Sequence, residues 1–325
     1  MIAVLRSGAL NTVQDLGRPQ GLRWGVGRSG AMDCVSLQIA NLLVANRRDE
    51  ATIEIAIFPF EIRFEADCAF AVAGSGLARL DGEPLPSAFA RRARAGQVLA
   101  IEPTRNGVFG YLALGGGLEA PVMHGSRSTD LKARFGGVGG AALSAGVRVA
   151  LRAPDAGEVV PERGYGAAPS ALPAGASPVG GGGELRIIRA AEWDVFTDAS
   201  REGLVEGAWS VSREMNRTGY MLTGPMLETR TRIELHSHGI VPGIIQVPPS
   251  GQAIVQMADA NTCGGYPKIA TVIPADLWRL AQTRSGEPLR FREIDWTQGV
   301  KAEQVLDRAL VELDSFLSDA RERLA

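Results

Sequence analysis

The sequence is divided into many short segments in which apolar and polar residues alternate, each bounded by Gly, Pro or Asp. Examples are EIRFE, CAFAVAG, QVLAIEP, VFGYLAL, VRVALRA, ELRIIRA, RIELHSH and FREI. Alternation with a period of two is typical of β-strands, and the bounding residues favour turns. Short strands with frequent turns favour barrels or sandwiches over a sheet with helical crossovers. We therefore predict a mainly β fold.

A few segments carry helical signals instead. Residues 33–46 begin with Asp33, a good N-cap, and place apolar residues along one face. Residues 274–282 begin with proline, which suits the first turn of a helix. Residues 301–324 carry a leucine stripe at helical spacing, which predicts a C-terminal helix that packs on another surface.

A change of composition divides the chain into two halves of similar size. The segment APDAGEVVPERGYGAAPSALPAGASPVGGGGE is rich in Pro, Gly, Ala and Ser and poor in large apolar residues, which indicates a flexible linker or a long surface loop. The halves share a faint sequence echo between RAGQVLAIEP and RSGEPLRFRE, which suggests a duplicated domain. The predicted parts are a first domain at 1–152, a linker at 153–184, a second domain at 185–300 and a helix at 301–325.

Charge and composition narrow the function classes. The net charge of -2 argues against a nucleic-acid surface or an anionic membrane as the main partner. No apolar run approaches the length of a membrane helix, and the N-terminus lacks the pattern of a signal peptide. The three cysteines do not form an even disulfide framework, so we expect thiols in a reducing compartment. The expected location is the cytoplasm.

Two polar clusters occur in the first half. Glycine lets backbone N–H groups approach an anion, and arginine pairs with carboxylate or phosphate through two parallel bonds. The candidate site residues in TVQDLGRPQGLRWGVGRSGAMD are Asp15, Arg18 and Ser29, and those in HGSRSTDLKARFGGVGG are Ser126, Arg127, Thr129 and Asp130. The alternative interpretation is a turn before a capped helix for the first cluster and a solvated connection for the second. The Walker A pattern is absent from the chain.

Two further clusters occur in the second half. A buried polar group without a partner lowers the stability of the fold by about 1–3 kcal/mol. Polar residues beside core strands therefore need a partner in the protein or in a ligand. The candidates are Asn216 and Arg217 in SREMNRTGYMLTGP, Gln246 in the strand IIQVP, and Asp259, Thr262, Gly264, Gly265, Tyr266 and Lys268 in DANTCGGYPK. Lys268 is one of only three lysines and precedes a core strand. We expect the four clusters to line one cavity.

Two other kinds of site are weaker. Cys263 lies in a glycine turn with no histidine nearby in sequence, which argues against a nucleophilic cysteine. His236 and His238 could share a strand face as a metal pair, but the chain has three histidines and no matching array of acids and cysteines. We predict no metal site built by the protein alone.

The blocks TVQDLGRP, GVGRSGAMD, GSRSTD, MNRTGYMLTGP, GIIQVPPSGQ and GGYPKIATVIPADL occur in an order that resembles the family of 5-oxoprolinase C subunits. This family is related to allophanate hydrolase subunit 2 and to the carboxyltransferase domain of urea carboxylase. The resemblance runs from about residue 10 to residue 293. The chain departs from the family pattern at LVAN, at Cys263, and near Gly140 and Val147, where an arginine and a Gly-Asp pair are expected.

The resemblance implies two cyclophilin-like β-barrel domains and a direct complex with the B subunit of a 5-oxoprolinase. When the A subunit is also present, it implies ATP-dependent conversion of 5-oxo-L-proline to L-glutamate. ATP with Mg²⁺ is then expected on this chain or in a site shared with the partner. Phosphorylating the lactam oxygen makes it a leaving group, and such a site acts by positioning and electrostatics. Lys268 suits this task, while Asp15, Asp130 and Asp259 remain alternative general bases.

Two other functions remain open within the resemblance. One is a component of a biotin-dependent carboxyltransferase similar to urea carboxylase, for which biotin would be supplied by a partner because the chain has no Met-Lys acceptor motif. The other is a binding protein without turnover, since some relatives are described as antagonists of a histidine-kinase inhibitor.

Overall fold

Strands dominate the computed structural model, which describes residues 1–153, 160–168 and 183–324. The predicted mainly β fold is confirmed. The chain divides into a first unit, Met1–Arg18 with Ser29–Val179 and Asp307–Ala325, and a second unit, Pro19–Arg28 with Gly180–Leu306. Residues 19–28, predicted within the first domain, therefore belong to the second unit.

The first unit contains two six-stranded sheets. Its strands are β1 (Ile2–Arg6), β2 (Thr12–Gln14), β3 (Thr52–Ile55), β4 (Phe60–Phe64), β5 (Cys68–Gly74), β6 (Leu77–Leu80), β7 (Glu83–Pro84), β8 (Phe89–Ala93), β9 (Val98–Glu102), β10 (Gly110–Leu114), β11 (Arg148–Val149) and β12 (Tyr165–Gly166). The sheet orders are β11-β1-β4-β9-β6-β7 and β12-β8-β5-β10-β3-β2. Both sheets contribute side chains to one apolar core, as alternation along the strands requires. In β4, Phe60, Ile62 and Phe64 are buried while Arg63 is exposed.

The second unit is built around a closed barrel. Its strands are β13 (Gly183–Arg189), β14 (Trp209–Met215), β15 (Gly219–Thr223), β16 (His238–Gly239), β17 (Ile244–Gln246), β18 (Ile254–Gln256), β19 (Cys263–Gly264), β20 (Lys268–Val272) and β21 (Pro288–Glu293). The barrel order is β13-β20-β17-β18-β15-β14-β21, and β21 closes it by pairing with β13 in parallel. Closure leaves no barrel strand with an unpaired edge. Strands β16 and β19 form a separate two-stranded sheet.

The helices are α1 (Cys34–Leu43), α2 (Asp198–Glu206), α3 (Pro274–Ala281) and α4 (Trp296–Leu324), with 3-10 helices at Pro19–Trp24 and Trp193–Val195. Asp33 caps α1 as predicted, because its Oδ1 accepts hydrogen bonds from the backbone N–H groups of Val35 (3.0 Å) and Ser36 (2.9 Å). Proline opens α3, also as predicted. In the first unit, Arg321 of α4 donates to the Leu42 carbonyl at 2.9 Å.

Part of the predicted linker is a strand of the first unit. Tyr165–Gly166 pairs with β8, and the buried Tyr165 hydroxyl donates to the Leu43 carbonyl at 2.5 Å. Val160, Tyr165 and Ala167 are all buried, so residues 160–168 pack on the first unit. Residues 154–159 and 169–182 of the predicted linker lie outside the described residues.

Candidate functional site

Asp15 holds the first two polar clusters together. Its Oδ1 accepts hydrogen bonds from the Ser126 hydroxyl (2.6 Å), the Ser128 hydroxyl (2.6 Å) and the Gly17 backbone N–H (2.7 Å). Its Oδ2 accepts from the Arg127 backbone N–H at 2.6 Å. Four donors occupy one buried carboxylate, so these contacts give Asp15 a structural role that competes with the predicted role of general base.

Arg18 also connects the first polar cluster to the second. Its guanidinium donates to the Ser128 carbonyl and lies 4.5 Å from the centre of the Phe135 ring. The residue is 0% exposed. Gly136 is needed beside it, since an added Cβ at φ +72° would lie 2.1 Å from the Ser128 carbonyl oxygen. The guanidinium of Arg18 is therefore enclosed by the loop that carries Ser128 and Phe135.

The remaining predicted residues of this loop have local partners. Thr129 donates through its hydroxyl to the Val13 carbonyl at 3.0 Å, which ties the loop to β2. Asp130 Oδ1 accepts from the Ala133 backbone N–H at 2.8 Å and stabilises a turn. A turn requires no more than this contact from Asp130. Ser126, Ser128 and Thr129 are buried, so the loop is not the solvated connection of the alternative interpretation.

Ser29 and Arg127 each have a buried polar side-chain atom without a hydrogen-bond partner among the described residues. Ser29 is 3% exposed, has φ 49°, and its hydroxyl has no partner among the described residues. The Arg127 side chain is 25% exposed, and its Nη1 lies 3.9 Å from Glu50 Oε1. Glu50 also pairs with Arg152, and sequence analysis did not single out either residue.

A cavity of about 340 Å³, called here the amide cavity, lies in the second unit. Its lining residues are Glu214, Asn216, Thr218, Gly219, Met221, Ile240, Gln246, Ile254, Gln256, Asn261, Cys263, Gly264, Gly265 and Tyr266. Five of these were predicted as site residues, namely Asn216, Gln246, Gly264, Gly265 and Tyr266. The structure thus brings the third and fourth polar clusters together. A cavity shared by all four clusters stays a prediction.

Hydrogen bonds orient three amide side chains of this cavity. Asn216 Oδ1 accepts from the backbone N–H groups of Thr218 (2.8 Å) and Gly219 (3.3 Å). Gln246 Nε2 donates to the Tyr266 carbonyl at 3.3 Å, and Gln256 Nε2 donates to Gln246 Oε1 at 3.0 Å. Gln246 thereby has the partner that its burial demands.

Arg217 and Asp259 flank the amide cavity but bind each other. Arg217 Nε lies 2.7 Å from Asp259 Oδ2, and Arg217 Nη2 lies 3.0 Å from Asp259 Oδ1. The Asp259 backbone N–H also donates to the Arg217 carbonyl at 2.8 Å. This pairing fixes the turn after β14 against the loop after β18.

Lys268 lies in a partly buried cluster of ionisable groups. Its Nζ is 3.0 Å from Glu192 Oε2 and also contacts His238 Nε2. Since His238 Nδ1 lies 2.9 Å from the His236 carbonyl, Nδ1 carries the hydrogen and Nε2 accepts from the ammonium. The three groups join β20, β16 and the segment before Trp193–Val195. Lys268 does not belong to the lining of the amide cavity.

Thr262 lies outside the amide cavity, and three residues with contacts in or near the site were not predicted from sequence. The Thr262 carbonyl accepts from the Ile240 backbone N–H at 3.2 Å, and its side chain is not among those lining the amide cavity. Gln256, Glu192 and His238 were not selected. Gln256 lies within the buried strand IVQ and His238 within a pair considered for metal binding, whereas Glu192 carries no sequence signal.

The described residues hold no group of three or more His, Cys, Asp or Glu side chains arranged to bind a metal ion. Among the described helices, none combines the length and the apolar character that a membrane crossing requires. Cys34, Cys68 and Cys263 form no disulfide.

This chain is similar to known proteins by a family model, by sequence and by fold. The family model for the carboxyltransferase domain, subdomain A and B, matches residues 24–293. The 5-oxoprolinase C subunit of Escherichia coli (strain K12) is 37% identical over 96% of this chain and 97% of that protein. The 5-oxoprolinase C subunit of Haemophilus influenzae is 35% identical over 93% of this chain and 94% of that protein.

Similarity to a solved structure concerns the fold alone. The crystal structure of Kluyveromyces lactis urea carboxylase superposes with a TM-score of 0.87 at 24% identity, covering 96% of this chain and 29% of that chain. This chain therefore corresponds to less than a third of the urea carboxylase, but to nearly all of the two bacterial proteins. The resemblance found in the sequence motifs is confirmed, and the chain belongs to the family of carboxyltransferase domains, subdomains A and B, that includes the bacterial 5-oxoprolinase C subunits.

Proposed function

We propose that this chain is the C subunit of a 5-oxoprolinase, which acts with the A and B subunits to convert 5-oxo-L-proline to L-glutamate with ATP. The two similar bacterial proteins that carry this name match over almost their full length. We place the complex in the cytoplasm, a reducing compartment that suits three cysteines without a disulfide.

The amide cavity is the observation that carries this proposal. Its volume of about 340 Å³ suits a small ligand, and four of its lining side chains are amides, namely Asn216, Gln246, Gln256 and Asn261. Each amide offers both a donor and an acceptor. A lactam presents one N–H and one carbonyl oxygen in a plane, which is the complementary pattern. The cavity therefore fits the reacting part of 5-oxoproline.

The same cavity does not fit a polyphosphate. None of its lining residues is Lys or Arg, and Glu214 adds a carboxylate that would repel phosphate. In the first unit, Arg127 is partly exposed and its Nε lacks a hydrogen-bond partner among the described residues. If ATP contacts this chain, Arg127 is the better candidate for its phosphates. When bound, ATP would supply the phosphoryl group that activates the lactam oxygen, and Mg²⁺ would arrive with it.

Biotin-dependent carboxyl transfer is the second candidate, favoured by the fold shared with urea carboxylase. The ureido ring of biotin also presents N–H and C=O groups in a plane, so the amide cavity suits both ligands. Biotin would be carried by a partner protein. The two candidates differ in whether turnover needs bicarbonate.

Reconstitution with candidate A and B subunits tests the proposal. We expect ATP-dependent loss of 5-oxoproline and formation of glutamate only when all three proteins are present. Bicarbonate-dependent turnover together with a biotinylated partner, detected with streptavidin, would favour the carboxyltransferase. A stable complex of all three proteins without any turnover would remove the enzymatic proposal and favour a binding protein.

A further inference from the structure

Backbone groups fix which end of Asn216 faces the amide cavity. A backbone N–H can only donate, so the Asn216 atom that contacts the N–H groups of Thr218 and Gly219 is the carbonyl oxygen Oδ1. The remaining polar group of this side chain is the amide NH2 group at Nδ2. Asn216 lines the cavity, so Nδ2 is a donor available to a ligand there.

A chain of two hydrogen bonds that also starts from the backbone, called here the relay, fixes the orientation of the Gln256 side-chain amide. The Tyr266 carbonyl can only accept, so Gln246 presents Nε2 to it and Oε1 to Gln256. Gln256 must therefore donate with Nε2, which leaves its own Oε1 as an acceptor. Gln256 is 7% exposed, and its Oε1 accepts no hydrogen bond from the described residues. The relay thus ends at a largely buried acceptor in the cavity wall.

Strand register places this acceptor beside the donor. Gly219 of β15 lies directly opposite Gln256 of β18. The Asn216 backbone N–H donates to the Gly219 carbonyl at 3.2 Å, so Asn216 belongs to the turn that leads into the same position. Directly opposite residues have Cα atoms about 4.5–5.5 Å apart. The donor and the acceptor therefore belong to one end of the β15–β18 ladder.

We infer that the amide cavity binds a ring amide in one direction and selects an unsubstituted secondary lactam. Gln256 Oε1 accepts from the ring N–H, and Asn216 Nδ2 donates to the ring carbonyl. The ring holds the amide cis, so both groups point to the same edge. An N-alkylated lactam places a methyl group against Oε1, and a lactone places a second acceptor there. This inference rests on the proposed function for the identity of the ligand.

Binding to the full chain tests the inference without the partner proteins. The probes are 5-oxo-L-proline, its N-methyl derivative and the lactone 5-oxotetrahydrofuran-2-carboxylate, titrated by calorimetry or by ligand-observed NMR. We expect the two analogues to bind on the order of 10- to 100-fold more weakly, because each leaves a buried acceptor unpaired. Equal binding of the three probes would overturn the inference and leave the proposed function standing.

The variant Asn216→Asp isolates the donor. An aspartate still accepts from Thr218 and Gly219 but replaces the amide NH2 group with an oxygen. The uncharged probe 2-pyrrolidinone separates this loss from repulsion between the new carboxylate and the carboxylate of 5-oxoproline. We expect both probes to bind at least tenfold more weakly, with the circular dichroism spectrum unchanged. Undiminished binding of 2-pyrrolidinone would overturn the role of Asn216. Failure of every probe to bind the wild-type chain would overturn the whole inference, while turnover in the reconstituted enzyme tests the proposed function separately.

Discussion

Arg217, in the turn after β14, and Asp259, in the loop after β18, form a bidentate ion pair with nitrogen–oxygen distances of 2.7 Å and 3.0 Å. Both were predicted from sequence as ligand-binding or catalytic residues. The pair instead joins the turn that carries Asn216 to the loop that carries Asn261, both of which line the amide cavity. Its contribution to binding is therefore to hold two walls of the cavity in place.

Substitutions of the two members of this pair should not be additive. We expect Arg217→Met alone, or Asp259→Asn alone, to lower the free energy of unfolding by about 3 kcal/mol, because the partner charge stays largely buried. The double variant should lose less than the sum of the two. Urea denaturation of the four proteins measures the coupling. Strict additivity would contradict the pairing.

Asp15 and Asp130 allow a matched comparison in the first unit. Asp15→Asn replaces an acceptor that four donors share and should destabilise the protein by about 2–4 kcal/mol. Asp130→Asn keeps the oxygen that accepts from Ala133 and should change stability by less than about 0.5 kcal/mol. Denaturant unfolding distinguishes them. If Asp130→Asn destabilises as much as Asp15→Asn, the assigned roles are wrong.

Gly264 should be sensitive to a single added methyl group. A Cβ there would lie 3.0 Å from Gln246 Nε2 and would push on the relay that orients Gln256. We expect Gly264→Ala to raise KM for 5-oxoproline several-fold in the reconstituted enzyme with kcat changed much less. The control is Gly239→Ala on the paired strand, where an added Cβ meets nothing within 4 Å. Equal KM values for the two variants would count against the relay.

Thiol reactivity should separate Cys68 from Cys263. Burial raises the pKa of the Cys68 thiol to about 11, so at pH 8 only about 0.1% of it is thiolate. Its alkylation should rise about tenfold per pH unit between pH 8 and 10, since the thiolate is the reacting form. Cys263 is exposed and should react with iodoacetamide first at pH 8. Peptide mass spectrometry after timed alkylation gives both rates, and faster labelling of Cys68 at pH 8 would refute the assignment.

Local features of the fold could be predicted from sequence, whereas pairings between distant segments could not. The Asp33 cap depends on residues two and three positions away, so its signal lies within one short stretch. Lys268 was recognised as unusual, but its partner Glu192 is 76 residues away and carries no sequence signal. Only the folded chain reveals that pairing.

The same distinction explains the amide cavity. Gln246 was selected because a buried amide requires a partner, and this argument needs no structure. Gln256 was not selected, although it meets Gln246 diagonally across β17 and β18, where Gln246 lies opposite Ile254. Strand register decides that contact, and sequence patterns specify register only through which face is buried. The burial of Arg18 could not be predicted for a related reason, since it depends on Phe135 and Ser128, more than a hundred positions away.

Ligand protection of Cys263 tests most directly whether the amide cavity is the substrate site. Cys263 lines this cavity and is exposed, and a Cys34→Ser background removes the other accessible thiol. Saturating 5-oxo-L-proline should slow alkylation of Cys263 at pH 8 at least fivefold, while L-proline, which has no lactam, should leave the rate unchanged. An unaltered rate at concentrations of 5-oxoproline that saturate turnover of the reconstituted enzyme would show that the substrate binds elsewhere.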